Sequence, residues 1–123
     1  MINKILEKHY LLSFSWATIV LILSGLPGND LPHFAIKGID KFVHFSMYGT
    51  LAFFLMNSTW YLARKMPLSN LKMLSVFVIS ASYGLIMEVL QQTIFIQRSF
   101  DLWDEVANTI GAIFGIIIYK LIR

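Results

Sequence analysis

Few side chains in this sequence can do chemistry, and Glu88 is the most informative of them. It stands in a run from Met73 to Gln97 that is otherwise apolar except for the nearby Gln91 and Gln92. Counted back from Ile96 on a helix, its carboxyl lies about 12 Å inside the apolar stretch, where an ionised side chain costs ~2.5–3.5 kcal/mol if the surroundings are hydrocarbon. Such a group needs a partner, a proton or water. Two roles stay open for it. One is a structural ion pair or hydrogen bond with His44, Arg98 or Asn108; the other is a protonatable or ligand-binding carboxylate in an outward-facing cavity, the default role of an acid at membrane depth. His44, beside Asp40 and Lys41, is equally divided between a headgroup contact and a site residue. Asp101, Asp104 and Glu105 around Trp103 have the composition of an acidic helix start with an aromatic anchor. That reading suits Glu105 and Trp103. Asp104 differs, because it shares a helical face with Asn108, Gly111 and Gly115.

His44, Glu88, Asp101 and Asp104 would suffice for a general acid and base or an oxygen-rich metal site. Yet the sequence has no H-E-x-x-H pair, no G-x-S-x-G elbow and no phosphate-cradling glycine loop, so it completes no catalytic constellation. The absence of cysteine removes disulfides, thiolate metal sites and a cysteine nucleophile. This reading assigns neither a metal nor a cofactor.

The elements that carry these residues are apolar. Hydrophobic residues make up 57% of the 123 and charged ones 14%, against ~45–50% and about 25% in soluble chains. A chain this short offers too little core to bury such an excess in water. Four segments approach the ~20 apolar residues a membrane span requires. They predict an all-α membrane protein, an antiparallel bundle of four transmembrane helices at about 10–28, 42–63, 73–96 and 103–122, forming one domain over 1–123. The first span resembles a signal peptide in its Lys4 and Lys8 flank, but Leu23-Ser24-Gly25 before Leu26-Pro27 is a poor cleavage site, so a retained helix is expected.

Basic residues set the orientation, because Lys and Arg in short loops stay in the cytoplasm. Seven of the ten fall on one side: Lys4, Lys8, Arg64, Lys65, Lys72, Lys120 and Arg123. Lys37, Lys41 and Arg98 fall on the other, with Asp30, Asp40, Asp101, Asp104 and Glu105. Both termini are therefore expected in the cytoplasm. This topology brings Lys41 and His44, Glu88 with Gln91 and Gln92, and Asp104 with Asn108 to one depth near the outer face. The net charge of +3 comes without a basic block, so nucleic acid is not expected as a partner. Gly84 shares the face of Glu88. Gly111 and Gly115 form a GxxxG element suited to close packing against the second or third helix, with homodimerisation as the alternative.

In order and spacing these residues resemble the VanZ-like membrane proteins. The resemblance rests on Ser24 and Pro27, then Asp40-Lys41-x-x-His44-Phe45-x-x-Tyr48-Gly49 and Tyr83-Gly84-x-x-x-Glu88-x-x-Gln91. It continues as Arg98-x-x-Asp101-x-x-Asp104-x-x-x-Asn108-x-x-Gly111-x-x-x-Gly115. It implies a bacterial cytoplasmic-membrane protein of four or five helices. The family's namesake is associated with low-level teicoplanin resistance, but the resemblance supplies no reaction, substrate or cofactor. Its site positions here would be Asp40, Lys41, His44, Glu88, Gln91, Arg98, Asp101, Asp104 and Asn108.

The expectation is a protein of the cell envelope with an outward-facing polar pocket. It would lie in the lipid bilayer and bind or modulate a lipid headgroup, a cell-wall precursor or a lipophilic glycopeptide. An intramembrane enzyme acting on a lipid-linked substrate is the alternative. A transporter ranks below both, since four short helices offer no inverted repeat. The oligomeric state is left open.

Overall fold

The computed structural model describes residues 2–25, 38–94 and 101–123, with side chains from Lys8 onward in the first of these segments. The described residues form four helices and no strand: α1 (Ile2–Gly25), α2 (Ile39–Leu62), α3 (Asn70–Thr93) and α4 (Leu102–Ile122). α2 and α3 each begin three residues ahead of the expected spans. Hydropathy locates the apolar stretch, whereas a helix starts at its cap. Ser69 accepts a hydrogen bond from the Lys72 amide and starts α3, and the Asp101 carboxylate accepts from the Trp103 amide and starts α4. Gly38, at φ +84°, precedes α2 in a conformation that suits glycine. α2 ends where Arg64 and Lys65 adopt positive φ, and the Lys65 amide reaches back to the Trp60 carbonyl, which closes the last turn.

The contacts fix the direction of each helix. Going down α2 and α4 together, Lys41 meets Asp104, His44 meets Asn108, Phe45 meets Gly111 and Gly49 meets Gly115. These two helices run parallel, with Gly111 and Gly115 packed on the α2 backbone. The end of α3 carries Glu88 to the start of α2 and α4, and Gln91 donates to the Ser24 carbonyl at the end of α1. Sequential helices therefore alternate in direction. α2 is central and touches the other three. Val20, Met47, Tyr48 and Leu51 form one apolar cluster, and Ala52, Met56, Val76, Ala112 and Tyr119 another.

Polar contacts hold α1 in place. Ser13 pairs with Ser58, Trp16 donates to the Met47 carbonyl and Tyr83 donates to the Ala17 carbonyl. Outside the bundle, large apolar side chains such as Phe14, Ile22, Leu71, Ile79, Ile110 and Leu121 are exposed, while Ser80, Glu88, Gln91 and Asn108 are buried. This arrangement inverts that of a small water-soluble domain.

Among the described residues, α3 and α4 are long and apolar enough to cross a membrane, and α1 and α2 fall short. α2 falls short because it carries Asp40, Lys41, His44, Asn57 and Trp60, several of them turned toward neighbouring helices. α1 loses apolarity at Lys8, His9 and Tyr10. The four-span expectation is thus met directly by two helices.

Candidate functional site

The polar side chains of α2, α3 and α4 collect at one end of the bundle. Lys41 is the outermost hub. Its ammonium donates to Asp40 Oδ2 at 2.7 Å, Asp101 Oδ2 at 2.6 Å and Asp104 Oδ1 at 2.6 Å. These contacts tie the start of α2 to the start of α4. Asp40, Lys41 and Asp101 lie outside the expected spans at 42–63 and 103–122, and their ionisation follows from the geometry. Burial draws the Lys41 pKa down, but hydrogen bonds to Asp101, Asp104 and Asp40 together hold it above its ordinary value. The hydrogen bond from Lys41 holds the Asp101 and Asp40 carboxyls below theirs.

One turn deeper, His44 Nδ1 lies 3.0 Å from Asn108 Oδ1. The Asn108 amide nitrogen donates to Glu105 Oε2 at 3.2 Å, which turns the amide oxygen toward the imidazole. Asn108 Oδ1 can only accept, so His44 Nδ1 carries the proton. His44 Nε2 then faces Asp104 Oδ2 at 3.5 Å. Glu88 is 1% exposed. Its Oε2 accepts from the Asp101 amide at 3.4 Å, while Oε1 lies 3.8 Å from His44 Nδ1 and has no hydrogen-bond partner among the described residues. One donor atom from each of His44, Glu88 and Asp104 lies within 4.8 Å of the other two.

Helical spacing accounts for this convergence. Lys41, His44 and Tyr48 share one face of α2; Gly84, Glu88 and Gln91 share one face of α3; Asp101, Asp104, Asn108 and Gly111 share one face of α4. Gly84 makes room, because a Cβ there would lie 2.9 Å from Asn108 Nδ2 and 3.0 Å from Glu105 Oε2. Gln91, nearer the end of α3, is buried in the α1–α3 contact on Ser24, off the acid cluster. Gln92, on the far edge of its face, is exposed. Arg98, named from the sequence as a partner for Glu88, lies outside the described residues, as does Pro27.

Residues 3–123 match the sequence model of the VanZ/LLP1 family. The chain belongs to the VanZ/LLP1 family. No curated protein and no solved structure matches it. Family membership and two apolar helices make this a membrane protein.

Sequence reasoning missed one member of the VanZ/LLP1 cluster. Glu105, read as an acid at a helix start, is half-buried and accepts from Asn108 and from Thr109 Oγ1. Its spacing of three and four residues from those partners was the available signal. An apolar groove of about 480 Å³ lies along α2 and α4, lined by Phe42, Phe45, Gly49, Phe53, Phe114 and Ile118 among others, and its first two phenylalanines follow Lys41 and His44 in sequence. The opposite end of the bundle is basic and aromatic: the Arg123 guanidinium lies 3.9 Å from the Trp60 ring centroid, and Lys65 lies 5.7 Å from that of Tyr61.

Proposed function

We propose that this VanZ/LLP1 protein is a multi-pass protein of the bacterial cytoplasmic membrane that spans the bilayer four times with both termini in the cytoplasm. It binds or modulates an acylated envelope component: a lipid, a lipid-linked cell-wall precursor or a lipoglycopeptide such as teicoplanin. The observation that carries this reading is the junction of two unlike surfaces on α2. Lys41 and His44 enter a buried polar cluster, and their sequence neighbours Phe42 and Phe45 line the apolar groove. The groove runs from Phe42 to Phe53, about 16 Å along the helix at ~1.5 Å per residue, or roughly half of a ~30 Å hydrocarbon core. Its volume falls within the ~300–1,000 Å³ of ordinary ligand sites. A tail in the groove would put its head at the cluster. There, among the described residues, one ammonium is outnumbered by the carboxyls of Asp40, Glu88, Asp101, Asp104 and Glu105, a balance that favours heads rich in amine and hydroxyl donors.

The alternative, an intramembrane enzyme acting on a lipid-linked substrate, draws support from His44, Glu88 and Asp104 lying within reach of one ligand.

A phosphatidylethanolamine with a photoactivatable acyl chain, incorporated in nanodiscs with the full chain, tests the proposal. Crosslinks should concentrate on α2 between Phe42 and Phe53 and on Ile118, and Thr50→Phe, which fills the groove, should remove most of them. Labelling spread evenly over exposed residues such as Ile79 and Ile86 would refute a specific tail site. Expression in a sensitive Gram-positive host should raise tolerance to teicoplanin more than to vancomycin, which lacks the acyl tail; equal or absent effects would exclude the lipoglycopeptide.

A further inference from the structure

We infer that His44, Glu88 and Asp104 form a binding site for one divalent transition-metal ion of the zinc or manganese kind, with Asn108 and Lys41 orienting the ligands. This inference deepens the reading of the cluster as a ligand site, and rests on it.

Asn108 accepts from His44 Nδ1, which leaves Nε2 facing the Asp104 carboxylate at 3.5 Å. A metal ion held between that nitrogen and the carboxylate would satisfy both. Glu88 Oε1, 3.8 Å from Nδ1, the other ring nitrogen, is buried and without a hydrogen-bond partner among the described residues, and one donor atom of each of the three side chains lies within 4.8 Å of the other two. Each carboxylate is held by one oxygen and leaves the other toward the imidazole. Lys41 holds Asp104 Oδ1 at 2.6 Å, leaving Oδ2; the Asp101 amide meets Glu88 Oε2 at 3.4 Å, leaving Oε1. A ligating histidine characteristically donates its other N–H to a carbonyl, and ligating carboxylates are themselves hydrogen-bonded. Both features are present before any ion is considered.

Size and charge agree with this assignment. Ligand bonds of ~2.0–2.2 Å put neighbouring donor atoms about 3.0–3.6 Å apart. The 3.5 Å between His44 Nε2 and Asp104 Oδ2 is already such an edge. The widest separation in the triad is within 4.8 Å, which one carboxylate rotation closes by about an ångström to the ~3.6 Å edge. A dication with two carboxylates is neutral, as a buried site in low dielectric requires. One imidazole and two carboxylates suit zinc or manganese and leave a coordination position for an exogenous oxygen. The acid trio Asp40, Asp101 and Asp104 is a poorer choice, because Lys41 already supplies its cation.

The test uses the full chain purified in detergent, stripped with chelator and titrated separately with Zn²⁺ and Mn²⁺ by calorimetry, with the bound ion counted by elemental analysis after desalting. One ion per chain is expected. Glu88→Gln and His44→Ala should weaken binding at least 100-fold, Asn108→Ala should weaken it by about 10–100-fold as a positioning residue, and Asp40→Asn should leave it within a few-fold. Cobalt substitution gives a readout on the wild-type chain itself: visible d–d bands of a histidine-ligated low-symmetry site are expected. No stoichiometric ion in the wild type would overturn the inference and make a proton the cation between His44 and Asp104. Loss of binding in Asp40→Asn with retention in Glu88→Gln would also overturn it, by moving the ion to the outer acids. The two readings fail separately: an ion without localised acyl crosslinks refutes the envelope-ligand proposal alone, and localised crosslinks without an ion refute the metal alone.

Discussion

Replacing Gly115 with alanine should destabilise the bundle by driving α2 and α4 apart. An added Cβ would lie 2.1 Å from the Gly49 carbonyl oxygen and 3.0 Å from its carbonyl carbon. Carbon–oxygen contacts are comfortable at about 3.3 Å or more, so the backbones must separate by roughly 1 Å. The obstruction is main chain, so no side-chain rotation relieves it. Overpacking of this kind costs ~1–3 kcal/mol, and the better helix propensity of alanine returns up to ~1 kcal/mol. A net loss of about 1–2 kcal/mol is expected. Gly111→Ala should match it, because that Cβ would lie 2.2 Å from the Phe45 carbonyl oxygen, whereas Gly49→Ala, at 3.0 Å from the Gly111 oxygen, should cost less. Reversible unfolding in mixed detergent micelles, followed by circular dichroism, measures the series. The order is the decisive result. A Gly115→Ala variant as stable as wild type, or a Gly49→Ala variant worse than both others, would refute the parallel α2–α4 seam.

Three further outcomes follow from the geometry. A reporter fused at the carboxyl terminus should read cytoplasmic and one inserted after Gln97 periplasmic or extracellular; the reverse pair would invert the proposed orientation and put the site on the inner leaflet. Acid should weaken the lid formed by Lys41: the Asp101 pKa is depressed below its ordinary 3.8, so its contribution is full above that value and is lost as pH falls through the folded pKa. Thermal stability in detergent should therefore drop as the pH falls below about 4, and Asp101→Asn should flatten that dependence. Ser58→Ala removes the partner of Ser13 and the donor to the His9 carbonyl; at the ~0.6 kcal/mol average for interhelical hydrogen bonds in membranes, it should cost little stability yet loosen α1, measured as faster proteolysis near its start.

Helical spacing made the depth of the site readable, because the residues concerned repeat every three or four positions along runs whose only competitors are apolar. His44, Glu88, Asp104 and Asn108 could be put at one end of a bundle without knowing how any helix was rotated. What lies across the helices was less legible. The spacing does not say that Lys41 reaches past its neighbour Asp40 to two acids of α4, or that Glu105 joins Asn108 in preference to water. Such contacts depend on rotamers and on the close approach that Gly111 and Gly115 permit. The same ambiguity affects span number: α2 carries so many inward polar groups that its hydropathy drops below that of a lone spanning helix.

Burying charged groups stabilises little in itself, since desolvation offsets the attraction even in a well-formed pair. The cluster at the shared end of α2, α3 and α4 therefore has to be held in place by something else. The glycine seam deeper in the bundle supplies that support. Gly115 sits seven residues below Asn108 on the same face, about two turns away, so its contact with Gly49 fixes the distance between α2 and α4 where His44 meets Asn108. The two classes of substitution should consequently separate. Changes in the seam should lower stability and weaken metal binding together, because both follow from helix separation. Changes at Glu88 should abolish metal binding while leaving stability intact or, with Glu88→Leu, improved, because an uncharged side chain suits the interior better. A Glu88→Leu variant that unfolds as readily as Gly115→Ala would show that the carboxylate holds the fold together, and would remove the reason for treating it as a site.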